Sequence, residues 1–416
     1  MDKRIKRLKL TKRWSTDAEG RTLRLYGDFL IASAAITNPP PRPKKIAVID
    51  IGSNTVRIEI YDCTRLPPKL LYEDGEACAL GSDMSPNDKD PKLSEKGKTE
   101  TLKLLKKFRK NIKSFDVDTV VAVGTEALRA VQHTPEGKAF LKEAEEALGH
   151  PINVINKNEE ALLTGKATLY AHHNANGIVI GMGGASTEVL KMKNGKVIKH
   201  KTLRIGTLSS LKASEGDVTV AAEITLEHLR TIPWFPNGRN RLTQRKGLYF
   251  VGGSYRGTAR LELTRAHEGI NLDSPFLGGG PTLIYGNEKE HEALEFLSKM
   301  NARDIRTYVN LLAVRKFGKE EFLGDEEETL TKKVGLKDLR KWRKSDNYSD
   351  WTSSDDYKAW RKSDQYKVWK RRIISRDRLI PLVAKSVQSL CKHLQPHEIT
   401  ICKQGLREAV VGLEIG

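Results

Sequence analysis

A chain of 416 residues is long enough for two or three domains, each burying its own core. With 72 Lys and Arg against 53 Asp and Glu it carries a formal net charge of +19, which suits a polyanionic partner such as nucleic acid, inorganic polyphosphate or an anionic membrane surface. Cys63, Cys78, Cys391 and Cys402 form no CxxC pair and have no histidine at ligand spacing, which excludes a zinc-finger or disulfide-framework reading and points to reduced thiols in a cytoplasmic protein. No apolar run reaches membrane-spanning length, and the basic, interrupted start does not read as a signal peptide.

Residues 1–44 form a basic extension in which Lys3, Arg4, Lys6, Arg7, Lys9, Lys12 and Arg13 interleave with Ile5, Leu8 and Leu10. It closes on a proline-rich linker over 38–43, a stiff and extended spacer. The arm reads either as a polyanion-binding or self-association element or as a solvated tail.

Residues 45–62, KIAVIDIGSNTVRIEIYD, predict a β-hairpin around which the rest of the chain is organised. The apolar run Ile46 to Ile49 delivers Asp50 to a tight Gly52-Ser53-Asn54 turn, and Val56, Ile58 and Ile60 alternate away from it. Gly52 lets the backbone approach a ligand, Ser53 and Asn54 offer donors, Asp50 suits a cation or water, and the Arg57 fork suits phosphate oxygens. An amphipathic helix follows to about Lys113, with Leu102, Leu105, Phe108 and Ile112 at helical spacing. A buried strand over 118–123 then ends at Gly124-Thr125-Glu126-Ala127-Leu128-Arg129, which reads either as a helix start aiming N–H groups and Arg129 into a cleft or as an ordinary strand-to-helix connection with a surface arginine. A short strand at 152–155 leads into Asn158-Glu159-Glu160, whose acids either serve the helix dipole or place one carboxylate at that cleft.

About 130 residues after the first hairpin, 177–191 repeats its plan as GIVIGMGGASTEVLK: an apolar strand, a glycine-rich turn with Ser186 and Thr187, then Glu188 opening another strand. Glycine-rich turns are common, so the pairing is the signal: two half-sites facing one another. The strand at 246–251 ends in Gly252-Gly253-Ser254, a third helix start able to bind an anion. From 288 onward the chain is helical and charged, with a strand expected through 402–408 and a short last helix. Within it Trp342, Trp351, Trp360 and Trp369 fall nine residues apart, with Tyr348, Tyr357 and Tyr366 and three Ser-Asp pairs in step. On a continuous helix a nine-residue step turns the side chain to the opposite face, so no one-sided core stripe is expected. The segment reads as a duplicated insertion, either nucleic-acid binding through stacking and charge or without catalytic role.

These segments resemble, in order, the motifs of the exopolyphosphatase/guanosine pentaphosphate phosphohydrolase family of the actin-like ATPase superfamily, over most of 45–272 and the tail from about 373. DIGSNTVR is similar to the family's first phosphate loop, VGTEALRAV to its arginine segment, NEEALL to its catalytic-glutamate segment and GMGGASTEV to its second phosphate loop. VGGSYRGTARLEL and QGLREAVV resemble later segments. The resemblance implies an α/β chain of two actin-like (ribonuclease H-like) ATPase-type domains facing a central cleft, at 45–170 and 171–416, with a helical insertion at about 335–372. It implies Glu160 as general base, with Asp50 and Glu188 placing Mg2+ or Mn2+ and water. Gly52, Ser53, Asn54, Arg57, Arg129, Gly183, Gly184, Ala185, Ser186, Thr187, Gly253 and Ser254 would hold the phosphoryl groups.

The implied activity is removal of terminal phosphate from inorganic polyphosphate, with guanosine pentaphosphate hydrolysis in the stringent response as the rival, by a homodimer with no membrane association. Two departures matter. Gly181 stands where the family's second loop usually begins with aspartate, and Ala185 replaces the third glycine, which opens a further reading as a polyphosphate- or alarmone-binding protein with impaired catalysis. No His-Asp dipeptide occurs, so the short, two-domain form is expected. A sugar kinase or chaperone-type ATPase fits less well, because the first turn carries Ser-Asn-x-x-Arg and the chain has the NEE segment.

Overall fold

The computed structural model describes residues 44–65, 68–85, 89–236, 242, 246–266, 283–285, 294–317, 320–324, 334–402 and 405–415. The basic extension, apart from Lys44, lies outside the described residues.

Two mixed sheets are built on one plan. In the first, β1 (Lys45–Ile51), β2 (Val56–Asp62) and β3 (Lys69–Glu76) form an antiparallel meander. Helix α1 (Glu95–Ser114) then crosses to β4 (Thr119–Gly124), which pairs parallel to β1. Helices α2 (Glu126–Val131) and α3 (Pro135–Leu148) lead to β5 (Ile152–Val154), giving the order β3-β2-β1-β4-β5. Helix α4 (Lys157–Ala171) carries the chain to the second meander, β6 (Gly177–Met182), β7 (Thr187–Lys193) and β8 (Lys196–Leu203).

After α5 (Thr207–Ala213) and α6 (Val218–Arg230), β9 (Gly247–Val251) pairs parallel to β6 and is followed by α7 (Gly253–Ala266). The second sheet reads β10-β11-β9-β6-β7-β8, its edge completed by β10 (Leu283–Tyr285) and β11 (Glu398–Ile401). Three strands in antiparallel succession followed by strands parallel to the first occur in both halves. This repeated topology is that of the two actin-like domains expected from the sequence.

Strands β1 and β6 are buried almost throughout, which explains their unbroken apolar runs: each is covered on both faces. Helix α4 packs on β6 to β9 of the second sheet, and the last helix, α14 (Leu406–Glu414), packs on β1 and α4. Their side chains share one core with both sheets, including Val48, Val121, Leu163, Ala167, Val179, Leu190 and Val410.

Two expectations are corrected. The strand foreseen through 402–408 stops at Ile401, because Gly405 caps α14 and its N–H donates to Glu408 Oε2 at 2.8 Å; Arg407 and Glu408 are therefore helical. The tryptophan repeat is also not one continuous helix. Beyond α8 (Ala302–Phe317) and α9 (Leu336–Trp342) it breaks into α10 (Asp346–Ser353), α11 (Asp355–Lys362) and α12 (Asp364–Arg372), before α13 (Leu379–Leu394) resumes.

Each break sits at the serine of a Ser-Asp pair. Ser345, Ser354 and Ser363 accept from Tyr348, Tyr357 and Tyr366 N–H and donate to the carbonyls of Trp342, Trp351 and Trp360. Restarting the helix every nine residues resets its phase, so all four tryptophans face inward and are nearly fully buried. They alternate with the tyrosines in edge contacts, Trp342–Tyr348 and Trp360–Tyr366 both at 4.9 Å between ring centroids. The insertion is a packed aromatic column.

Candidate functional site

The two glycine turns are closed by the same hydrogen bond, Gly52 N–H to Thr55 O at 3.0 Å and Gly183 N–H to Ser186 O at 2.9 Å. They meet across a cleft between the sheets. A β-carbon on Gly184 would lie 3.0 Å from Asn54 N and 3.1 Å from Ser53 Cβ, so glycine is what permits the approach. The carbonyls of the second turn are occupied from behind, since Thr207 N–H and Leu208 N–H at the start of α5 donate to Gly183 O and Gly184 O.

Strand register makes Asp50 opposite Arg57 in the first hairpin equivalent to Gly181 opposite Glu188 in the second. Asp50, Gly52, Ser53, Asn54 and Arg57 line the cleft from the first hairpin, and Glu160 lines it from the start of α4. Gly183, Gly184, Ser186 and Glu188 line it from the second hairpin, and Gly253 and Ser254 from the start of α7. Three predicted positions do not reach it. Ala185 packs against Gly206, and the Thr187 hydroxyl donates to Ile205 O at 2.5 Å.

Arg129 is the third. Its Nη2 donates to Glu126 Oε2 at 2.6 Å and Glu160 Oε2 at 2.8 Å, and its Nη1 to Ile155 O at 2.7 Å. Its geometry is that of a residue positioning the candidate base. Glu160 is held in the first turn of α4, whose N-cap Asn156 forms a capping box with Glu159. That box assigns the two acids: Glu159 reaches back to the Asn156 N–H at 2.8 Å, leaving Glu160 to turn into the cleft. Burial pushes Glu160 above the usual carboxylate range, opposed by Arg129 and reinforced by Glu126 and Asp50.

Sequence reasoning missed three arginines that line the cleft, Arg256 on α7, Arg376 after α12 and Arg407 on α14. Arg407 is buried; its Nη1 donates to Asp50 Oδ2 at 3.1 Å, and its Nε lies 2.9 Å from Glu59 Oε1 without a hydrogen-bond angle. Burial raises Asp50, with Arg407 and Arg57 pulling it back. Burial and the neighbouring Arg407 and Arg256 guanidiniums push Arg57 down to about 9, a repulsion that a bound polyanion relieves. The only local sign of Arg407 was its place in the QGLRE segment, which is legible as a helix start once Gly405 is recognised as a cap.

Glu188 bears on a cation. Its Oε1 is buried without a hydrogen-bond partner, and burial together with Glu160 pushes the carboxyl well above its ordinary range. A β-carbon at Gly181 would stand 2.7 Å from Thr164 Cγ2 and 3.4 Å from Glu188 Oε2, so Thr164 occupies the space an aspartate there would need. Among the described residues no three His, Cys, Asp or Glu side chains form a ready-made metal cluster. An orphan carboxylate oxygen in a cleft lined by glycine turns and arginines nevertheless fits a hard cation such as Mg2+, which takes one or two carboxylates and completes its shell with water and other oxygen ligands.

The model of the Ppx/GppA phosphatase family matches residues 60–230. The guanosine-5'-triphosphate,3'-diphosphate pyrophosphatase of Pseudoalteromonas translucida is 28% identical over 173 residues, 41% of this chain and 34% of that protein. The bifunctional 3-dehydroquinate synthase/phosphatase of Fusobacterium nucleatum is 24% identical over 288 residues, 67% of this chain and 40% of that protein. The chain thus spans about a third of the length of the pyrophosphatases it matches. Among solved structures, an exopolyphosphatase from Cytophaga hutchinsonii superposes with a TM-score of 0.58 at 17% identity, covering 89% of this chain and 97% of that one. The Ppx/GppA family member of Aquifex aeolicus gives 0.52 at 19%, covering 90% and 98%.

Proposed function

We propose that this chain is a phosphatase of the Ppx/GppA family, whose model it matches over residues 60–230, and that it is an exopolyphosphatase releasing the terminal phosphate of inorganic polyphosphate. The observation that carries the reading is the setting of Glu160: a buried carboxylate, held by Arg129, at the wall of a cleft formed by two facing glycine turns and ringed by arginines.

Phosphoryl transfer asks for alignment and charge neutralisation more than for covalent chemistry. The N–H groups and hydroxyls of the two turns grip the terminal phosphoryl oxygens, and Arg57, Arg256 and Arg407 neutralise charge along the chain. Glu160 accepts the proton of the attacking water as the bridging P–O bond breaks and the shortened polyphosphate leaves with that bond's electron pair. Asp50 and Glu188 would hold Mg2+ or Mn2+, which when bound supplies charge neutralisation at the phosphate oxygens.

The test is free phosphate released from long-chain polyphosphate and, separately, from guanosine pentaphosphate, with and without Mg2+. Magnesium-dependent release from the polymer supports the reading. Release from the nucleotide alone supports the second one, guanosine pentaphosphate hydrolysis, favoured by the names of the pyrophosphatase relatives. Tight polyphosphate binding without release would mark a binding protein, the outcome that Thr164 in the place of the missing carboxylate favours.

A further inference from the structure

Helix α1 carries Lys96, Lys98, Lys103, Lys106, Lys107, Arg109, Lys110 and Lys113 against only Glu95 and Glu100. Three of these cations are engaged: Lys98 pairs with Glu95 at 2.6 Å, Lys107 with Asp74 at 2.7 Å, and Arg109 Nη1 donates to Glu146 O at 3.2 Å. The side chains of Lys96, Lys103, Lys106, Lys110 and Lys113 are exposed and have no ion pair or hydrogen bond among the described residues.

The last four recur at steps of three, four and three, and Lys96 lies seven residues before them, so all five share one face. Like charges at these spacings weaken a helix. Elsewhere exposed lysines are paired at the same spacings, as in Lys299–Glu295, Lys358–Asp355 and Lys367–Asp364. The α1 stripe is a concentration of cations that the described chain leaves uncompensated.

Its position connects it with the cleft. Ser94, the N-cap of α1, donates its N–H to Leu80 O at 3.0 Å, and Gly81 N–H donates to Ser53 O at 2.8 Å, so the helix begins one layer behind the first glycine turn. It precedes β4, which runs parallel to β1, and therefore descends from the cleft end of the sheet toward the opposite end. From Lys96 to Lys113 the stripe is about 26 Å long. Lys106, Lys110 and Lys113 also line a groove against α3 whose far wall carries Glu143 and Glu146; these carboxylates form no ion pair with them and disfavour an anion inside the groove, leaving the outward face to it.

We propose that this stripe is an extended binding surface for the distal part of a linear polyphosphate chain whose terminal phosphate occupies the cleft. The proposal rests on the polyphosphate reading above and adds how a long chain is held. Lysine ammoniums are point charges on flexible stems and suit a featureless, mobile polyanion. Single-stranded nucleic acid would call for aromatic platforms beside the charge, whereas the one aromatic of α1, Phe108, is buried. A membrane surface would call for outward apolar residues, whereas Leu104, Leu105 and Ile112 are buried in the core and Leu102, half-buried, packs against it.

The test compares the full chain with a Lys103→Gln/Lys106→Gln/Lys110→Gln variant and a charge-matched control, Lys358→Gln/Lys362→Gln/Lys367→Gln. Glutamine keeps the helix, which circular dichroism checks. Anisotropy of end-labelled long-chain polyphosphate is read over a range of salt, beside tripolyphosphate and a single-stranded RNA of matched length, with phosphate release followed in parallel. The α1 variant is expected to flatten the slope of log K against log salt for the long chain by about two, while the control does not. Its ratio of long-chain to tripolyphosphate affinity falls with it.

Equal slopes in the two variants overturn the proposal, as does a loss confined to RNA or the absence of polyphosphate binding by the parent chain. A slope flattened in the α1 variant, when the parent chain binds polyphosphate but releases no phosphate, leaves the stripe in place and overturns the hydrolytic reading instead.

Discussion

Nη2 of Arg129 lies 2.8 Å from Oε2 of Glu160, and the same nitrogen is 2.6 Å from Glu126 Oε2, so one guanidinium orients the candidate base and ties it to the start of α2. The base must be ionised to take a proton. Burial raises its pKa and Arg129 opposes that rise, so removing Arg129 raises it further. Arg129→Met is therefore expected to move the acid limb of the kcat/KM profile to higher pH. Glu160→Gln should lower kcat by about 10²–10⁴-fold while polyphosphate binding persists. A limb that stays in place in Arg129→Met, or near-normal phosphate release by Glu160→Gln, would remove these roles.

Thr164 and Gly181 form a steric pair, with Cγ2 of the threonine 2.7 Å from where a β-carbon at 181 would stand. Gly181→Asp alone should destabilise the fold by about 1–3 kcal/mol through overpacking. Adding Thr164→Ala should recover most of that loss and give a larger Mg2+-induced rise in Tm than the parent chain shows. Thermal unfolding with and without Mg2+ measures both, and a double variant no more stable than the single one would refute the pairing.

The indole N–H groups in the aromatic column are not equivalent. Trp342 Nε1 donates to Phe322 O at 2.8 Å, whereas Nε1 of Trp360 is buried without an acceptor. Both Trp342→Phe and Trp360→Phe lose packing volume, but only the first also strands a carbonyl. Urea denaturation should show Trp342→Phe to be the costlier by about 1 kcal/mol. Equal losses would mean that the hydrogen bond adds nothing.

Asp304 anchors that column to α8. It accepts from Arg340 Nη2 at 2.7 Å and Arg343 Nη1 at 2.8 Å, and it caps its own helix with Asn301. Burial alone would raise its pKa, but the bonds from Arg340, the Asn301 N–H and Arg343 outweigh burial and hold it below the usual range. A depressed carboxylate gives stability that is present above its unfolded pKa of about 3.9 and lost as pH falls through the folded value. Asp304→Asn should thus cost about 2 kcal/mol at pH 7 and progressively less on acidification. A loss independent of pH would exclude the ion pairs as its source.

The hairpins were legible because their signal is local: an apolar run on each side of a glycine turn, with Asp50 and Glu188 fixed by strand register. By residue type Glu160 was legible only as one of two adjacent acids; the resemblance singled it out over Glu159, and the Asn156 capping box supplies the physical reason. Arg256, Arg376 and Arg407 were not, since they arrive from far along the chain and only sheet order brings them to Asp50. The repeat failed for a different reason. Its period was read on a continuous helix, although serine before aspartate is an N-cap signal and each pair restarts the helix.

The exchange of α4 and α14 between the sheets has a consequence for any attempt to divide the molecule. Severed between α4 and β6, the first piece would carry an apolar helix with no sheet to cover, and the second would lose Leu163 and Ala167 from its floor while its final helix sought a missing β1. Neither piece can be expected to fold alone. Mixed together they would serve as mutual templates, so that restored phosphate release on combining two inert fragments would report the joining of the lobes.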